Sequence, residues 1–292
     1  MKQTPKQMNI SYLILAHNNF VHLSRLIDAL DDGNSSFYIH IDAKTEEEYN
    51  NPKENVFVIP RHFDINWGGY NMIEATLELI RYAHTHNMNS DYFVFISGVD
   101  YPVRSRQFLY KQLEEGKEYI DIAPMPVPYK PMERFEYYYF EYDRRNMSHL
   151  NPKFLIEVLL KKLKIKRKIP FRLYVGTQWF ALTRKCVKYI LKTVDTDKSY
   201  EAFFRHALVP DEAFFQTIIG NSPFLANAAA SLTYTDWNVP VPPATIEDRH
   251  VDFLKDHIEF DDEYGHRLPY FARKFNDDSK SVLARIRIEL WK

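Results

Sequence analysis

One stretch of the sequence contains two adjacent acidic residues, Asp211 and Glu212, whose carboxylates could accept or donate a proton. Residues 209–220 read VPDEAFFQTIIG, in which Pro210 precedes Asp211, an acidic residue suited to capping a helix. The apolar residues that follow fall on one helical face, and Gly220 suits a helix end. Glu212 then lies in the first turn beside the buried face, where a carboxylate can act as a general base. The position equally suits an acidic residue that only complements the helix dipole, and the local pattern alone favours this second interpretation.

A second acidic pair, Asp195 and Asp197, forms the only Asp-x-Asp triplet of the sequence. Carboxylates can hold a divalent cation. This pair, however, follows a predicted helix that ends near Leu191 and precedes Lys198 and Ser199, which is typical of a helix end followed by the next N-cap. We therefore expect no metal at this pair.

Composition excludes several classes of protein. The chain has 292 residues and a formal net charge of −1, which fits one large domain or two small ones and gives no argument for nucleic-acid binding. A single cysteine, Cys186, excludes an intramolecular disulfide, and its apolar helical surroundings predict that it is buried. Phe and Tyr are abundant, at 21 and 20, and tyrosine-rich surfaces suit sugars.

The expected location is the cytoplasm. Residues 1–9 are polar, with no apolar segment of a signal peptide, and no run is long enough to span a membrane. Together with the single cysteine, this pattern favours a reducing compartment.

Strands that alternate with helices predict an α/β layer with mainly parallel strands. Ligands of such sheets bind beyond the C-terminal strand ends, which here carry His17, Asp42 and Asp100. The sequence has no GxGxxG motif and no Walker loop, so a dinucleotide enzyme or a P-loop NTPase is not expected. The predicted strands are residues 10–16, 37–42, 56–59, 91–97 and 119–123, and the predicted helices include one capped by Asn18 and one over residues 71–86.

The alternation loosens after Pro124. Residues 134–142 (RFEYYYFEY) predict a β segment, either facing an acceptor sugar or serving as an ordinary aromatic strand. Residues 155–168 form a basic amphipathic segment, which is either a solvated helical face or, over residues 161–172, a contact with an anionic membrane where a lipid-linked acceptor would lie. Residues 281–291 predict a packing helix. No repeat or linker divides the chain.

Further motifs stand in a fixed order along the chain. They are residues 67–69 (WGG), 97–102 (SGVDYP), 176–184 (GTQWFALTR), 234–237 (YTDW) and 271–275 (FARKF). With the Pro-Asp-Glu stretch, this set resembles the core-2/I-branching N-acetylglucosaminyltransferase and peptide O-xylosyltransferase family, from about residue 10 to residue 275. The resemblance implies one GT-A-type glycosyltransferase domain over residues 1–292, with a Rossmann-like nucleotide-binding half and a mixed central sheet. Residues 10–124 would form the donor half, residues 125–275 the acceptor and catalytic half, and residues 276–292 a C-terminal helix.

The resemblance further implies an inverting, metal-independent transferase without a cofactor. Its donor would be UDP-N-acetylglucosamine or UDP-xylose and its acceptor a glycan or a lipid-linked glycan, most simply in the synthesis of a bacterial surface polysaccharide. Inversion needs a base that takes the proton of the acceptor hydroxyl, and positive charge that stabilises the departing nucleoside diphosphate.

Two roles follow from matching positions in the family. Glu212 matches the catalytic base, and Lys274 matches a lysine that contacts the diphosphate. A second, arginine contact is not identified, because Thr233 stands where family members usually have arginine. Arg249 and Arg273 are the candidates for it.

Other site residues are expected from the same resemblance. Glu133 and Arg134 resemble an acceptor-side pair, and His17, Asp42 and Asp100 resemble donor-side positions. Trp237 and Trp179 are candidate platforms for a sugar ring, although Trp179 could equally well be a buried packing residue. His17 could equally be a strand-end histidine with ordinary hydrogen bonds.

Two other functions fit the same sequence. The chain could be a glycan-binding protein without turnover, or a metal-dependent transferase that uses Asp100 or the pair Asp195 and Asp197. A pure binder needs neither a base nor a diphosphate contact, so Glu212 together with Lys274 argues against the first alternative.

Overall fold

The computed structural model describes residues 7–148 and 150–291. The strands are β1 Ile10–Ala16, β2 Ser36–Ile41, β3 Val56–Val58, β4 Tyr92–Ser97, β5 Asp100–Pro102, β6 Glu118–Ile120, β7 Ala123–Pro124, β8 Tyr174–Val175, β9 Phe180–Thr183, β10 Ala228–Ala229, β11 Thr233–Thr235, β12 Phe260–Asp262, β13 Gly265–Arg267 and β14 Phe271–Arg273. The α-helices are α1 Phe20–Leu30, α2 Asn71–His86, α3 Arg106–Leu113, α4 Glu133–Glu136, α5 Pro152–Lys162, α6 Arg184–Thr196, α7 Ser199–Phe204, α8 Phe214–Gly220, α9 Asp248–Asp256 and α10 Lys280–Glu289. Short 3-10 helices cover Pro210–Glu212 and Pro223–Asn227.

Among the described residues, a mixed sheet of seven strands lies at the centre, in the order β10-β6-β9-β4-β1-β2-β3. Strand β1 pairs in parallel with β2 and with β4. Strand β9 runs antiparallel between β4 and β6, so the sheet is less uniformly parallel than the alternation of elements indicated. The predicted α/β fold with a mixed central sheet is confirmed.

Strand β1 shows why this sheet is buried on both faces. Successive side chains of a strand point to opposite faces. Tyr12 and Ile14 accordingly pack in one apolar core with α1, whereas Leu13 and Leu15 pack in a second core with α2. The bounds of β1 and α2 match the predicted ones. Cys186 lies in the second core and is buried, as predicted.

The reversed strand β9 brings the Gly176 motif to the ligand-binding edge of the sheet. Phe95 of β4 pairs with Phe180 of β9. Because the two strands are antiparallel, the residues just before Phe180 lie beside the C-terminal end of β4. His17 and Asp42, which follow β1 and β2, lie at this same edge.

A smaller sheet with the order β11-β14-β5 carries the Lys274 motif to this edge. Strand β5 begins three residues after β4 ends, and its first residue, Asp100, lies opposite Arg273 of β14. Lys274 follows directly. The Gly176 motif and the Lys274 motif therefore converge on one side of the central sheet.

Residues 134–142 do not form the predicted strand. They contain the short helix α4 and an irregular segment whose backbone groups find scattered partners. The Arg167 amide donates to the Glu136 carbonyl at 2.8 Å, and the Tyr139 amide donates to the His206 carbonyl at 3.0 Å. The Phe140 amide donates to Glu157 Oε1 at 2.6 Å. These partners satisfy the backbone without a neighbouring strand, so no ladder forms.

Some predicted element ends also shift. Helix α1 starts after Asn19, which has a φ of 55° and makes no side-chain capping bond, so Asn18 is not its N-cap. The strand predicted over 119–123 is divided into β6 and β7, and the C-terminal helix α10 ends at Glu289. No helix in residues 7–148 and 150–291 is both long and apolar enough to cross a membrane.

Candidate active site

The turn that carries Glu212 is held by backbone hydrogen bonds to three distant segments. The Val209 amide donates to the Gly68 carbonyl at 3.1 Å, and the Gly176 amide donates to the Glu212 carbonyl at 2.8 Å. The Leu208 amide donates to the Arg134 carbonyl at 2.9 Å. The WGG and GTQW motifs thus position this turn through main-chain atoms.

Val209 itself has a left-handed backbone, with a φ of 52°. This conformation is costly for a β-branched residue and persists only when the surroundings fix it. Gly68, whose carbonyl holds the Val209 amide, is left-handed as well, with a φ of 73°. Strained positions of this kind cluster at functional sites, which supports a role for the turn beyond packing.

Glu212 forms ion pairs with two basic side chains. Its Oε2 atom lies 2.5 Å from Lys130 Nζ and 2.9 Å from Arg134 Nη1. The Lys130 side chain is only 10% exposed, and those of Arg134 and Glu212 are 25% and 26% exposed. In the described part of the chain nothing hydrogen-bonds Oε1, so one oxygen of the carboxylate is fixed and the other is available to a ligand.

Asp211 does not cap a helix. Glu212 belongs to a 3-10 turn rather than to α8, and α8 begins without a side-chain cap. Asp211 Oδ1 is buried and has no hydrogen-bond partner among the described residues. Burial, followed by the neighbouring charge of Glu212, raises the pKa of Asp211 to about 7. Asp211 is therefore an acidic neighbour of Glu212 that holds its proton more strongly than usual.

The apolar face predicted after Glu212 is confirmed. Phe214, Phe215, Ile218 and Ile219 are all buried in α8. Gly220 is the last residue of this helix rather than a stop beyond it, and a Cβ atom there would overlap the ring of Tyr174.

His17 and Lys274 lie in a positively charged part of the sheet edge. Burial lowers the pKa of Lys274, and the charges of Arg273 and Arg145 lower it further. Burial also lowers the pKa of His17, where Lys274 and Arg145 act in the same direction and Asp42 opposes them. The charges of Arg273 and Arg145 thus act on Lys274 in addition to its burial, while Asp100 opposes them.

Arg145 lies in a turn that is held by hydrogen bonds to Asp143. Asp143 Oδ1 accepts hydrogen bonds from the amides of Arg145 at 3.0 Å and Asn146 at 3.3 Å. The Arg145 guanidinium carbon lies 5.6 Å from the ring centroid of Trp67, the first residue of the WGG motif. Trp67 is 50% exposed, so this contact forms at the open surface of the site.

Asp100 and Arg273 are structural rather than ligand-facing. Asp100 is fully buried, and its carboxylate accepts hydrogen bonds from the Ser97 amide at 3.0 Å and the Ser97 hydroxyl at 3.2 Å. Arg273 Nε lies 3.3 Å from Asp100 Oδ1, and its guanidinium stacks 4.0 Å from the ring centroid of buried Trp179. Asp100 has no surface left for a donor. Arg273 and Trp179 pack together beneath the site.

Asp42 stays at the sheet edge as expected. Its side chain is 12% exposed, and its Oδ1 accepts the Lys44 amide at 2.9 Å. Lys44 Nζ also lies 3.4 Å from this oxygen and 2.5 Å from Asp64. Asp42 thus keeps a position from which it can face a donor.

Three other predicted residues are exposed at the surface. Glu133 lies on the surface and pairs with Lys161 at 2.6 Å, although Arg134 beside it reaches Glu212. Arg249 pairs with Asp236 at 3.1 Å, so it is already engaged. Trp237 is 57% exposed, which leaves it available as a sugar platform.

The Asp-x-Asp triplet has the predicted placement at a helix end. Asp195 pairs with Arg81 across the surface, and Asp197 Oδ1 accepts the Ser199 amide at 2.9 Å. Across residues 7–148 and 150–291, no three His, Cys, Asp or Glu side chains group as a metal site would require. A separate cavity of about 450 Å³ lies beside β6 and β10, lined by Tyr119 and Ala229 among others, and none of the predicted site residues line it.

The sequence profile of the Core-2/I-Branching enzyme family matches residues 10–256. The chain belongs to this family. Among its relatives, xylosyltransferase 2 of Rattus norvegicus is 26% identical over 249 residues, which are 79% of this chain and 27% of the relative. Xylosyltransferase 1 of Rattus norvegicus is 25% identical over 256 residues, which are 80% of this chain and 28% of the relative. The chain therefore spans little more than a quarter of the length of these relatives.

Membership of the core-2/I-branching enzyme family confirms the predicted resemblance, and the observed sheet is consistent with the GT-A-like fold. The matched range includes Glu212, Lys130 and Arg145 but ends before Lys274, whose assignment therefore rests on geometry and local motif. The sequence did not reveal Lys130 or Arg145 as site residues. Lys130 lies in a proline-rich loop and Arg145 in a polar turn, and neither pattern indicates a ligand.

Proposed function

We propose that this chain is an inverting glycosyltransferase that moves N-acetylglucosamine or xylose from a UDP-sugar to a hydroxyl group of a glycan acceptor. The observation that carries the proposal is the convergence of the Glu212 turn and the Lys274 segment at one edge of the central sheet. Family membership supports the reaction class, and the names of the relatives support xylose as one donor sugar.

Glu212 serves as the base in this proposal. The acceptor oxygen forms a bond to the anomeric carbon while its proton passes to the carboxylate, and the bond from that carbon to UDP breaks with its electron pair on UDP. Lys130 and Arg134 hold Oε2 in place, so Oε1 is the atom that takes the proton. A base fixed in this way loses little orientational freedom when the acceptor binds.

Lys274 and Arg145 supply the positive charge for the departing diphosphate. Partly desolvated cations gain most when an anion binds between them. Burial is the main cause of the lowered pKa of Lys274, and the neighbouring charges of Arg273 and Arg145 lower this pKa further. Arg145 thereby takes the place left open by Thr233, which is buried in β11. With Arg249 and Arg273 held by carboxylates, Arg145 is the better candidate for the second contact.

Fixed cations also make a metal unnecessary for leaving-group stabilisation in this proposal. Calorimetric titration of the protein with UDP, UDP-N-acetylglucosamine and UDP-xylose, in EDTA and in Mn²⁺, tests whether binding needs a metal. We expect binding in EDTA and little gain from Mn²⁺. Binding and turnover that vanish in EDTA and return with Mn²⁺ would show that the site needs a metal.

Single variants then test each cation. A charge-assisted contact contributes about 1.5–3 kcal/mol, so Lys274→Ala and Arg145→Ala should each weaken UDP binding roughly 10- to 150-fold with little change in melting temperature. Lys111→Ala, an exposed lysine on α3, is the matched control. Unchanged affinity in Arg145→Ala would leave Lys274 as the sole cation assigned to the diphosphate.

The expected role in bacterial polysaccharide synthesis and the expected cytoplasmic location stay predictions. Incubating the protein with a UDP-sugar and an array of glycans would identify the acceptor class directly.

A further inference from the structure

An unusual concentration of exposed apolar side chains covers helix α5 and its two ends. In the described part of the chain, sixteen large apolar side chains are exposed, and seven of them lie between residues 150 and 165, with exposures from 42% to 81%. Monomeric proteins seldom leave contiguous apolar surface of this kind without a partner. We refer to these seven side chains as the apolar helix face: Leu150, Leu155, Ile156, Val158, Leu159, Leu163 and Ile165.

The orientation of α5 is the reverse of an ordinary surface helix, which buries its apolar stripe. Of the residues in α5, only Glu157 is buried. Its carboxylate pairs with Arg144 at 2.6 Å, accepts the Tyr142 hydroxyl at 3.0 Å and accepts the Phe140 amide at 2.6 Å. A polar anchor therefore fastens the inner side of the helix, and the apolar side chains are held outward.

Positive charge surrounds this face. Residues 150–172 contain eight basic side chains and one acidic side chain, Glu157, in a chain whose net charge is −1. Lys161 and Lys166 pair with Glu133 and Glu136 at the surface. Within the described residues no ion pair engages the other lysines at the helix end and beyond it, which are Lys162, Lys164 and Lys168.

We propose that residues 150–168 bind the surface of an anionic lipid membrane, with the apolar helix face in the headgroup and acyl boundary. An apolar face with a lysine-rich border is the pattern of helices that lie in a membrane interface, and the lysine stems let their ammonium groups reach lipid phosphates. An eleven-residue helix spans only ~16 Å, about half of the hydrocarbon thickness, so it lies along the membrane rather than crossing it.

Charge also decides between the membrane and a second copy of the chain. A symmetric dimer through this face would bring two strongly basic segments together, and such repulsion disfavours it. An anionic membrane instead attracts every unpaired lysine. Membrane binding by this surface is independent of the proposed sugar transfer, because the surface lies outside the Glu212 turn.

Co-sedimentation of the full chain with vesicles tests the proposal. We expect binding to equal parts of phosphatidylcholine and phosphatidylglycerol to be at least about tenfold tighter than to phosphatidylcholine alone, and to weaken in high salt. The paired variants Leu155→Ser with Leu159→Ser, and Lys162→Glu with Lys164→Glu, should each lower this binding about tenfold or more. Their melting temperatures and UDP affinity should match the parent, since all four side chains are exposed.

Matched controls are Val241→Ser and Lys111→Glu, which change one exposed apolar side chain and one exposed lysine elsewhere. Both should bind vesicles like the parent. Three outcomes would overturn the proposal: no preference for anionic vesicles, full binding by both paired variants, or a concentration-dependent dimer that the Leu155 and Leu159 substitutions abolish. The last result would assign the face to a second copy.

Discussion

Glutamine in place of Glu212 removes the proposed base and also the negative partner of two cations. The amide keeps the size of the side chain and can accept a hydrogen bond from the acceptor hydroxyl, but it cannot take the proton. We expect transfer to fall about 10²–10⁴-fold in kcat, with donor affinity nearly unchanged because the proton moves only in the chemical step.

The stability effect follows from the ion pairs of Glu212. Lys130 and Arg134 both contact Oε2, and Lys130 is nearly buried, so the variant leaves a cation without its counter-charge. A hydrogen bond to a charged group contributes about 1.5–3 kcal/mol, and partial exposure reduces this through solvent screening. We therefore expect the free energy of unfolding to fall by about 1–3 kcal/mol. If Asp211 capped the helix and Glu212 were merely a helix-dipole residue, the loss would be small.

A double-mutant cycle separates the two effects. Lys130→Met replaces the nearly buried cation by an apolar side chain of similar length, so Lys130→Met combined with Glu212→Gln should recover about half of the lost stability or more. The double variant should stay inactive. Denaturant unfolding measures stability, and UDP release from UDP-N-acetylglucosamine or UDP-xylose, with and without glycan acceptors, measures activity.

Glu133→Gln is the matched stability control. It makes the same substitution in an ion pair whose side chains are about half exposed, so it should cost at most about 0.5 kcal/mol. A Glu212→Gln protein as stable as the parent would refute the contribution of the two ion pairs. Turnover at the parent rate would refute the base assignment and make Asp211 the next candidate.

Three further predictions concern the surroundings of the site. Gly220→Ala should lower stability by about 1–3 kcal/mol in denaturant unfolding, because the added Cβ meets the Tyr174 ring, although alanine favours helix; a stabilised variant would contradict this. Between the ordinary aspartate pKa of 3.8 and about 7, the folded protein keeps a proton on Asp211 that the unfolded chain releases. As pH rises through this range, the parent should therefore lose stability relative to Asp211→Asn. Parallel curves of unfolding free energy against pH for the two proteins would count against the raised pKa. Arg267→Met should cost about 3–5 kcal/mol, since it leaves buried Asp121 without the cation that lies 2.8 Å away; a variant that unfolds like the parent would show that the pair contributes little.

Regular apolar patterns made much of the fold predictable. The ends of β1 and α2 match the predicted ones because each segment has a continuous hydrophobic period bounded by polar residues. The reversal of β9 was not predictable, since strand direction depends on pairing with distant β4 and β6 rather than on local composition. The aromatic residues 134–142 look like a strand locally, but their backbone partners come from residues far along the chain.

The candidate site was predictable only where a motif marked it. Glu212 and Lys274 stand in recognisable stretches, whereas Lys130 lies 82 positions before its partner Glu212 in a loop without periodicity. The prediction that Asp100 faces the donor was wrong for a different reason. A carboxylate just beyond a strand end can face a ligand or turn inward, and Ser97 and Arg273 draw this one inward.

The main-chain hydrogen bonds that hold the Glu212 turn have a consequence for variation among such enzymes. Carbonyl and amide groups persist when side chains are exchanged, so residues facing the acceptor, other than Lys130 and Arg134, can be substituted without displacing the Glu212 backbone. The constraint falls instead on glycines, because a Cβ at Gly176 would overlap the Asp121 carbonyl and Gly68, whose carbonyl holds Val209, has a φ of 73° that other residues rarely adopt. Acceptor preference can therefore be redesigned around a stationary proton acceptor, provided that these two positions are left unchanged.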